Sequence, residues 1–522
     1  MHIALTVFLA LAMAVPALAS TCAAVKDLNL SSTTISIAES VPAGSFTPPG
    51  AEKPFLNLPA FCRVAGVIRP SIDSEILFEV WMPASGWNGR FYGFGNGGFA
   101  GSISFGQMAS AVSLSYATAS TDTGHQAGTV DASWAAGHPE KIVDFGYRAI
   151  HETAVTAKAV IAAFYDRGAR HSYFSACSNG GRQALMEAQR YPEDYDGIIA
   201  GAPAYNWTHL MSGAVWGMRA TLENKASYIP HSKLPALQAA ILASCDGLDG
   251  LKDGVLDDPR RCSFNPSKLL CKAVDSDSCL TAPQVTAIKT LYSGLRAGNG
   301  KQIEDGLLPG AEAWRGSWPE WITGKERGKS IMAGFGQQFF SNMVFNNAAW
   351  DYRTFEVNRD LRLANEKVAN ILSAVDPDLK RFQKRGGKLV LYHGWNDPAI
   401  PATGTIRYYD SVVANTGSKD ATDFLRLYMV PGMLHCNGGP GANTFGQFGP
   451  PQSDPRRDLA AAVERWVEQG VPPDRITATK YKNDDRADDI VATRPICPWP
   501  QVAKWTGIGS SSDAINFVCK AN

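Results

Sequence analysis

The spacing of hydrophobic residues divides the first part of the chain into short strand-like runs and a longer amphipathic segment. Strand-like runs occupy residues 75–82, 90–94 and 113–119, and the amphipathic segment, residues 145–165, leads into an aromatic run before Ser178. Apolar runs that alternate with helical segments in this way are typical of a mostly parallel sheet with helices on its faces. The pattern therefore predicts an α/β fold.

The alternation stops in the middle of the chain and returns later. Residues 204–386 are rich in Trp, Gly and Cys and show no repeated strand–helix alternation, whereas the strand pattern resumes at Lys388. With 522 residues and 45% hydrophobic content, the chain is long for one domain and long enough for a large core. We therefore predict a core formed by residues 20–203 and 387–522, an inserted domain at 204–386, and a C-terminal helix at 458–469.

A serine lies in a turn between a strand and a helix. The run 173–177 is strand-like, Ser178 follows it, and residues 183–190 have helical character. Ala176 and Gly180, two positions before and after the serine, are small enough to let strand and helix pass closely, as in a nucleophile elbow. Alanine replaces the usual first glycine. A serine in a glycine-rich turn is more often structural, so the assignment of Ser178 as a nucleophile depends on the rest of the chain.

Two further residues provide the base and the acid that a serine nucleophile needs. The strand-like run 388–395 is followed by Asp397, and the run 425–430 is followed by His435. In the α/β-hydrolase plan the acid and then the histidine follow the serine along the chain. Either residue alone is more simply an ordinary loop residue. Together and in this order, they indicate a triad of Ser178, His435 and Asp397.

The first nineteen residues and the cysteines indicate an exported protein. An apolar run, residues 3–15, is followed by the small-x-small site Ala17-Leu18-Ala19, so residues 1–19 are predicted to be a signal peptide, although the segment before the run contains His2 and neither Lys nor Arg. After cleavage, no remaining stretch is long and apolar enough to span a bilayer. Ten cysteines form an even set, which in an exported chain predicts disulfides. Release into the medium and retention in the periplasm both stay open.

Two dipeptides beside the candidate triad carry a family resemblance. Cys177-Ser178, Asp397 and His435-Cys436 resemble the Cys-Ser, Asp and His-Cys signature of the tannase and feruloyl esterase family, which also contains esterases of mono(2-hydroxyethyl) terephthalate. The resemblance extends over nearly the whole chain and implies an α/β-hydrolase core interrupted by a large lid domain, with a structural calcium ion in the lid. The disulfides that the resemblance implies are Cys22–Cys62, Cys177–Cys436, Cys245–Cys262, Cys271–Cys279 and Cys497–Cys519.

An acidic, glycine-punctuated loop in the predicted lid has the composition of a calcium site. Residues 246–258 contain five aspartates, and Cys245 and Cys262 flank them. Calcium prefers several hard oxygen ligands, and glycines let backbone carbonyls turn inward beside the carboxylates. The spacing differs from that of an EF-hand, and the alternative is a solvated acidic turn. By resemblance to the family, a structural ion would be bound by the side chains of Asp246, Asp249 and Asp253 and the backbone oxygens of Leu251 and Val255.

Two places along the chain are expected to supply an oxyanion hole. Ester cleavage passes through a tetrahedral intermediate whose oxygen needs backbone N–H donors. Asn179 directly follows the nucleophile and is the first candidate. The loop 95–101 follows an early strand-like run and resembles the Gly-Gly loop of the family, which makes Gly98 the first choice there and Gly97 the second.

The balance of charges argues against a polyanionic partner such as nucleic acid. The chain has 49 basic and 49 acidic residues and a formal net charge of zero. No set of His, Cys and Glu residues has zinc-ligand spacing, and no organic cofactor is expected. His393 is interpreted as a core histidine. Tryptophans more often fill a core than contact a substrate, but four in the predicted lid are candidates for an aromatic pocket, namely Trp314, Trp318, Trp321 and Trp350.

These features predict a secreted or periplasmic serine carboxylesterase that acts on a small aromatic ester through an acyl-enzyme on Ser178. The resemblance implies feruloyl (hydroxycinnamoyl) esters of plant polysaccharides first, galloyl esters of tannins second and mono(2-hydroxyethyl) terephthalate third. An inactive hydrolase fold used for binding is the alternative from a different class, and an exported serine peptidase is a second enzymatic alternative. The acyl group, the lid residues that contact it and the oligomeric state stay open.

Overall fold

The computed structural model describes residues 21–521. The predicted signal peptide, residues 1–19, therefore lies outside the described residues. None of the helices within the described range combines the length and the apolar character that crossing a membrane requires.

A large sheet runs through the centre of the described chain. The strands are, in chain order, β1 (Thr33–Val41), β2 (Gly44–Phe46), β3 (Phe55–Leu58), β4 (Phe61–Ile68), β5 (Ile76–Pro83), β6 (Arg90–Phe94), β7 (Ala117–Thr121), β8 (His171–Cys177), β9 (Gly197–Gly201), β10 (Leu295–Arg296), β11 (Gln302–Glu304), β12 (Lys388–Gly394), β13 (Leu425–Val430), β14 (Ile476–Tyr481), β15 (Ile490–Ile496), β16 (Gln501–Trp505) and β17 (Phe517–Ala521). Nine of these described strands form one sheet in the order β1-β4-β5-β7-β6-β8-β9-β12-β13.

The strand directions in this sheet confirm the predicted α/β fold. The strands from β7 to β13 in this order are parallel to their neighbours. The strands β1, β4 and β5 extend the sheet antiparallel at one edge. Every residue of β9 and nearly every residue of β12 is buried, as expected for parallel strands that are covered on both faces.

Helices cover both faces of the sheet. The helices are, in chain order, α1 (Phe105–Ser113), α2 (Pro139–Val143), α3 (Ala149–Tyr165), α4 (Asn179–Arg190), α5 (Trp207–Met218), α6 (Leu234–Cys245), α7 (Ala282–Ser293), α8 (Trp318–Trp321), α9 (Ile331–Gln338), α10 (Val357–Ala364), α11 (Asn370–Leu372), α12 (Lys380–Lys384), α13 (Ala402–Thr416), α14 (Ser418–Thr422) and α15 (Leu459–Gln469). Buried side chains of α3, α4 and α13 belong to one hydrophobic core, and those of α1 and α15 belong to a second core. The sheet separates these two cores.

Two predicted boundaries differ from the observed ones for local reasons. The predicted strand 113–119 is wrong at its start, because Ser113 ends α1 and the left-handed φ of +67° at Ser115 turns the chain before β7 begins. The predicted segment 145–165 is helical, but its first turn, Asp144–Arg148, is a π-helix that precedes α3.

The predicted C-terminal helix is present with a cap at each end. Asp458 accepts a hydrogen bond from the N–H of Ala461 at 3.0 Å, so it is the N-cap of α15 rather than its first residue. Gly470 ends the helix with a φ of +70°, a conformation that glycine adopts without strain.

The chain between β9 and β12 contributes no strand to the central sheet, and all of it lies within the described residues. This stretch contains α5 to α12 and the small β10–β11 sheet. Its largest hydrophobic cluster includes Trp207, Phe335 and Phe340 together with Phe99 and Phe145 from the preceding part of the chain. The insertion therefore packs over loops of the core, as a lid would, and the exact division at residues 204 and 386 stays a prediction.

All ten cysteines are paired, and no free thiol remains in the described chain. The disulfides are the ones that the resemblance implies: Cys22–Cys62, Cys177–Cys436, Cys245–Cys262, Cys271–Cys279 and Cys497–Cys519.

Candidate active site

Ser178 occupies a sharp turn between β8 and α4. Its backbone has a φ of +68° and a ψ of −125°, a combination that costs a residue with a side chain on the order of 1–3 kcal/mol. The N–H of Ser178 donates to the carbonyl of Gly201 at 2.9 Å, and its own carbonyl accepts from the N–H of Ala204 at 3.1 Å. The neighbouring strand end therefore holds the serine in this strained conformation, as in a nucleophile elbow.

The positions around the serine have no room for side chains larger than those present. A Cβ atom on Gly180 would lie 2.5 Å from the Cβ of Ala176, and one on Gly181 would lie 2.3 Å from the carbonyl oxygen of Gly201. Larger side chains at these positions would force α4 away from β8 and β9. The small-residue pattern that indicated the elbow in the sequence thus has a direct steric cause.

The three predicted triad residues lie in one hydrogen-bonded chain. The Oγ of Ser178 is 2.9 Å from Nε2 of His435, and Nδ1 of His435 is 2.7 Å from Oδ2 of Asp397. Nδ1–H of the imidazole donates to the carboxylate, which leaves Nε2 free to accept the serine proton. Asp397 follows β12 and His435 follows β13, so neighbouring parallel strands deliver both residues to the same edge of the sheet. This geometry is that of a nucleophile, a general base and an orienting acid.

Asp397 is buried and is held in its ionised form. Oδ1 accepts hydrogen bonds from the N–H groups of Ala399 at 2.7 Å and Ile400 at 2.9 Å. Burial alone would raise the pKa of the carboxyl, but the electrostatic attraction of His435 and hydrogen bonds from His393 and His435 outweigh burial and hold the pKa well below its usual range. The acid therefore presents a fixed negative charge to His435.

His393 is buried as expected of a core histidine, yet it contacts the candidate acid directly. Its Nε2 lies 3.1 Å from Oδ2 of Asp397 and 3.1 Å from the carbonyl of Ile400, while Nδ1 lies 2.7 Å from Oγ1 of Thr405. Both neighbours of Nε2 are acceptors, so Nε2 carries the proton and Nδ1 accepts from the threonine. The sequence interpretation missed this role, although a histidine four residues before the acid was a usable signal.

The disulfide Cys177–Cys436 lies between the candidate nucleophile and the candidate base. It joins the residue before Ser178 to the residue after His435, with the two Cα atoms 6.0 Å apart. Cys436 itself has a φ of +66°. The bridge therefore restrains both backbones that carry the Ser178–His435 hydrogen bond.

The two predicted sources of oxyanion donors face the same cavity as Ser178. Asn179, Gly97 and Gly98 all line this cavity. Gly98 has a φ of +58°, and a Cβ atom there would lie 2.3 Å from Thr129, so a larger residue is excluded. A Cβ atom on Gly97 would meet nothing within 4 Å. Both glycines thus remain candidates for the second donor.

The loop that carries these glycines is fixed to the helix after the nucleophile. The N–H of Asn96 donates to Oε1 of Gln183 at 2.9 Å, and the side chain of Asn179 donates to the carbonyl of Asn96 at 3.2 Å. Nδ2 of Asn96 also donates to the carbonyls of Ser102 and Thr121, each at 2.8 Å. The donor positions are therefore preorganised, which oxyanion stabilisation requires.

A cavity of about 410 Å³ opens beside Ser178 and extends under the lid. Its volume lies in the range typical of small-molecule sites. Among the described residues that line it, none is Asp, Glu, Lys or Arg. The apolar and aromatic part of the lining consists of Val130, Ala204, Trp207, Leu210, Met211, Trp321, Ile331, Met332, Phe335, Ala399 and Ile400.

One of the four tryptophans considered for an aromatic pocket lines this cavity. Trp321 lies edge-on to His435 with ring centroids 4.9 Å apart. Trp350 packs against Phe340, Trp318 belongs to a separate hydrophobic cluster of the lid, and Trp314 contacts Lys480. Trp207, which the sequence interpretation did not single out, forms a second aromatic wall of the cavity.

The predicted calcium loop follows α6 and is closed by the disulfide Cys245–Cys262. Oδ1 of Asp249 accepts a hydrogen bond from the N–H of Leu251 at 2.9 Å, whereas its Oδ2 is buried and has no hydrogen-bond partner in the described chain. Burial raises the pKa of the Asp249 carboxyl. A hard cation would offset the cost of burying this carboxylate, so the residues fit a calcium ion.

The other predicted ligands of this loop also make contacts within the protein. Asp246 accepts a backbone hydrogen bond at 3.0 Å, and Asp253 accepts from the N–H of Val255 at 3.2 Å. Asp253 forms an ion pair with Arg494 at 2.5 Å, and Arg494 also contacts Asp257 at 3.4 Å. Because Arg494 belongs to β15, these contacts join the loop to the C-terminal strands.

Comparison with known proteins agrees with the geometry of the site. A family model described as "Tannase and feruloyl esterase" matches residues 62–520. The chain belongs to the tannase and feruloyl esterase family. As a member of this family, the protein is an esterase, a carboxylic ester hydrolase with an α/β-hydrolase core. The family resemblance and the fold class predicted from the sequence are thereby confirmed.

Several relatives are similar over nearly their full length. An uncharacterized esterase of Xanthomonas campestris pv. campestris is 46% identical over 526 aligned residues, covering 95% of this chain and 91% of the relative. A probable feruloyl esterase B-1 of Aspergillus oryzae is 32% identical, covering 90% of this chain and 86% of the relative.

Solved structures of the family share the architecture. The crystal structure of feruloyl esterase B from Aspergillus oryzae superposes with a TM-score of 0.87 at 30% identity, covering 96% of this chain and 100% of that one. Tannin acyl hydrolase from Aspergillus niger superposes with a TM-score of 0.75 at 23% identity, covering 96% of this chain and 95% of that one, which supports the fold alone.

Proposed function

We propose that this esterase hydrolyses esters of hydroxycinnamic acids, of the feruloyl type, through an acyl-enzyme on Ser178. The observation that supports the proposal is the composition of the cavity beside Ser178, which has aromatic and aliphatic walls and no charged side chain among its described lining residues. An uncharged planar acyl group matches such a cavity, because burying apolar surface favours binding and no buried charge must be paired. The relatives named as feruloyl esterases support the same choice.

In the proposed reaction, Oγ of Ser178 attacks the ester carbonyl while Nε2 of His435 accepts the serine proton. The N–H groups of Asn179 and Gly98 donate to the oxygen of the tetrahedral intermediate, with Gly97 as the alternative to Gly98. His435 then protonates the leaving alcohol, and the acyl group stays on the serine. A water molecule, deprotonated by His435, attacks this acyl-enzyme and releases the acid.

The two other aromatic substrates match the cavity less well. Mono(2-hydroxyethyl) terephthalate carries a carboxylate that would need a cationic partner, and the described lining offers neither Lys nor Arg. Gallate carries three hydroxyl groups that would each need a hydrogen-bond partner. Outside the triad and the oxyanion loop, the polar groups of the described lining side chains are the hydroxyl of Thr129, the indole nitrogens of Trp207 and Trp321, and the amide of Asn179, which is already hydrogen-bonded to Asn96 and Arg182.

Trp207 offers one polar atom that suits a feruloyl ring. Its indole N–H is buried and has no hydrogen-bond acceptor in the described chain. Ferulate carries a phenolic oxygen and a methoxy oxygen that cinnamate lacks, and either oxygen can accept from an indole. We therefore expect Trp207→Phe to reduce the ratio of kcat/KM for methyl ferulate to that for methyl cinnamate by about threefold to tenfold, the worth of one neutral hydrogen bond.

The proposal also covers a structural calcium ion, the location of the protein and the molecule to which the acyl group is attached. The loop at 246–258 would hold a structural calcium ion through Asp246, Asp249, Asp253 and backbone oxygens. The protein would be exported after removal of residues 1–19, to the periplasm or the medium. The acyl group would be attached to plant polysaccharide, or to a tannin if gallate is the substrate. Five disulfides are consistent with an oxidising compartment.

A comparison of three substrates tests the proposed specificity. The purified protein would be assayed on methyl ferulate, methyl gallate and mono(2-hydroxyethyl) terephthalate under one set of conditions, with Ser178→Ala as the control. We expect kcat/KM to be highest for methyl ferulate. A higher value for methyl gallate or for the terephthalate half-ester would replace the feruloyl assignment. No hydrolysis of any of these esters or of a simple aryl ester by the wild-type protein would support an inactive binding protein instead.

A further inference from the structure

Arg182 is completely buried, one turn into α4, and all of its hydrogen bonds go to neutral acceptors. Its Nε and Nη2 both donate to Oδ1 of Asn179, at 2.9 and 2.6 Å. Nη1 donates to the carbonyl of Gly146 at 2.7 Å and to that of Leu372 at 3.3 Å, and Nη2 donates to the carbonyl of Phe145 at 3.0 Å. The guanidinium is thus held by the active-site helix, the π-helical turn and the lid.

Within residues 21–521, no Asp or Glu forms an ion pair with this guanidinium, and aromatic rings lie against it instead. The rings of Phe145 and Trp207 lie 4.7 and 5.1 Å from its central carbon. Arg63, the other buried arginine of the described chain, differs because it pairs with Glu79 at 2.6 Å. An unpaired buried charge is costly to keep, which argues that a negative charge arises nearby during function.

The arginine is connected to both expected sources of oxyanion donors. Asn179 carries the first expected donor on its backbone, and its side chain joins Arg182 to the carbonyl of Asn96 through a 3.2 Å hydrogen bond. Asn96 belongs to the loop 95–101, which contains Gly97 and Gly98. The contacts therefore form a continuous chain from the guanidinium to the two peptide segments that face the reacting oxygen.

We propose that Arg182 is a positioning residue of the esterase reaction, which fixes Asn179 and the Gly97–Gly98 loop and favours the anionic tetrahedral intermediate through its unpaired charge. Fixed charges and dipoles aimed at a developing negative charge act strongly in a site from which water is excluded. Because the ester itself is neutral, the positive charge of Arg182 stabilises the anionic intermediate more than it stabilises the bound substrate. The inference rests on the proposed acyl-enzyme mechanism and is independent of which acyl group the enzyme prefers.

The test compares Arg182→Gln and Arg182→Lys with the wild type on 4-nitrophenyl acetate, a small ester that does not depend on the acyl cavity. Loss of a single oxyanion donor lowers kcat by about 100- to 1,000-fold. We expect Arg182→Gln to lower kcat by about 100-fold with KM changed less than about threefold. Arg182→Lys keeps a positive charge but loses the paired donation to Asn179, so an intermediate kcat is expected. Circular dichroism checks that each variant is folded.

A second readout separates electrostatic action from a merely structural role. Phenylboronic acid forms an anionic tetrahedral adduct on an active-site serine and so resembles the intermediate. Its inhibition constant should rise in Arg182→Gln by nearly the factor by which kcat/KM falls. The matched control is Arg190→Gln on the same helix, because Arg190 is exposed and also donates to a lid carbonyl, that of Asn370. The control should leave kcat and the inhibition constant unchanged.

Three outcomes would overturn the inference. One is a folded Arg182→Gln variant whose kcat stays within about threefold of the wild type. Another is a lower kcat with unchanged affinity for the boronate, which would mean that the residue only supports the fold. If Arg182→Gln does not fold, Asn179→Ala breaks the same connection from the other end, and an unchanged kcat in that variant would refute the proposal. Wild-type activity on 4-nitrophenyl acetate but not on methyl ferulate would contradict the feruloyl assignment alone.

Discussion

The imidazole of His393 donates a hydrogen bond to the carboxylate of Asp397 across 3.1 Å, in a place that water does not reach. Oδ2 of Asp397 therefore accepts from two histidines, since His435 donates to the same oxygen at 2.7 Å. The two donors stabilise the ionised acid, and the ionised acid orients the proposed base. His393 thus stabilises Asp397 through a hydrogen bond and does not line the substrate cavity.

The first prediction separates this support from simple packing. His393→Leu removes the donor and should lower kcat by about tenfold or more, because a hydrogen bond to a charged group contributes about 1.5–3 kcal/mol. His393→Gln can still place an N–H near Asp397 and should retain most of the activity. Steady-state kinetics on one aryl ester, with circular dichroism to check folding, measure the difference. Equal activity of the two variants would contradict a role for the hydrogen bond.

The second prediction concerns the proposed triad as a unit. Ser178→Ala and His435→Ala should each lower turnover by several orders of magnitude, and Asp397→Asn should lower it by about ten-thousand-fold. Substrate binding should survive, because none of these side chains forms the apolar walls of the cavity. Equilibrium binding of ferulic acid to Ser178→Ala checks this. Retention of most esterase activity in that variant would refute the nucleophile assignment.

The triad could be predicted from the sequence because each member lies at or just beyond the carboxyl end of a recognisable strand. Parallel strands bring their carboxyl ends to one edge of a sheet, so the order Ser178, Asp397, His435 along the chain was enough to place the three residues together. The pairing of the cysteines could not be predicted from the chain pattern in the same way. Ten cysteines allow many pairings, and the family resemblance rather than the spacing selected the pairs that the structure contains.

Residues that act through long-range packing were not predicted. Trp207 and Arg182 meet near the cavity only because the lid folds back over α4, and neither position carries a local pattern that reports this contact. The contact between His393 and Asp397 depends on how the loop after β12 turns back on the strand. Sequence patterns describe single elements well, whereas contacts between distant elements depend on the complete fold.

The third prediction concerns the disulfide Cys177–Cys436, whose cysteines are 259 residues apart in sequence. On the chain-entropy account such a long loop stabilises by at most about 5.6 kcal/mol. The bridge also restrains both sides of the Ser178–His435 hydrogen bond, where a displacement of about 1 Å can cost about 100-fold in rate. The double variant Cys177→Ala, Cys436→Ala should therefore lose activity at temperatures where circular dichroism shows a folded protein.

The lid disulfide Cys271–Cys279 provides the matched control for this experiment. It closes a short loop with a sequence separation of 8 and lies in an exposed part of the lid. Replacing both of its cysteines by serine removes one disulfide and should leave turnover unchanged. Wild-type turnover in the Cys177, Cys436 double variant, or free thiols at these positions in peptide mapping, would exclude a catalytic role for the bridge.

The fourth prediction concerns the proposed calcium ion. Its removal by a chelator should lower the Tm, because a ligand bound only to the folded protein adds RT ln(1 + [L]/Kd) to the free energy of unfolding. Asp249→Ala should have the same effect and make the Tm insensitive to added calcium. Glu326→Ala, at an exposed acidic position of the lid, is the control and should keep the calcium response. Elemental analysis without bound calcium, together with an unchanged Tm on calcium addition, would exclude the site.

The last prediction concerns Glu187, a completely buried carboxyl on α4. Burial is the main cause that raises its pKa well above the usual range, the adjacent Asp194 adds to the rise, and Lys158 opposes it. Neither carboxyl oxygen of Glu187 has a hydrogen-bond partner in the described chain. We therefore expect Glu187 to keep its proton to a higher pH in the folded protein than in the unfolded chain.

The sign of the resulting pH dependence follows from linkage. Below the unfolded pKa of about 4.3 both states are protonated, so the full stability is present. As the pH rises above this value the unfolded carboxyl ionises and the folded one does not, so the free energy of unfolding falls by up to about 1.4 kcal/mol per pH unit until the folded pKa is reached. Glu187→Gln copies the protonated form, and its stability should not change with pH for this reason.

Thermal unfolding of the wild type and Glu187→Gln at pH 5 and pH 8 measures the effect. We expect the Tm of Glu187→Gln relative to that of the wild type to be higher at pH 8 than at pH 5. The control Glu52→Gln, at an exposed position, should differ from the wild type in Tm by the same amount at both pH values. A Tm difference between the variant and the wild type that is the same at pH 5 and pH 8 would contradict the prediction. Glu187 would then be ionised in the folded protein, as it would be if a cation were bound together with His151 and Asp194, whose ligand atoms lie within 4.8 Å of its own.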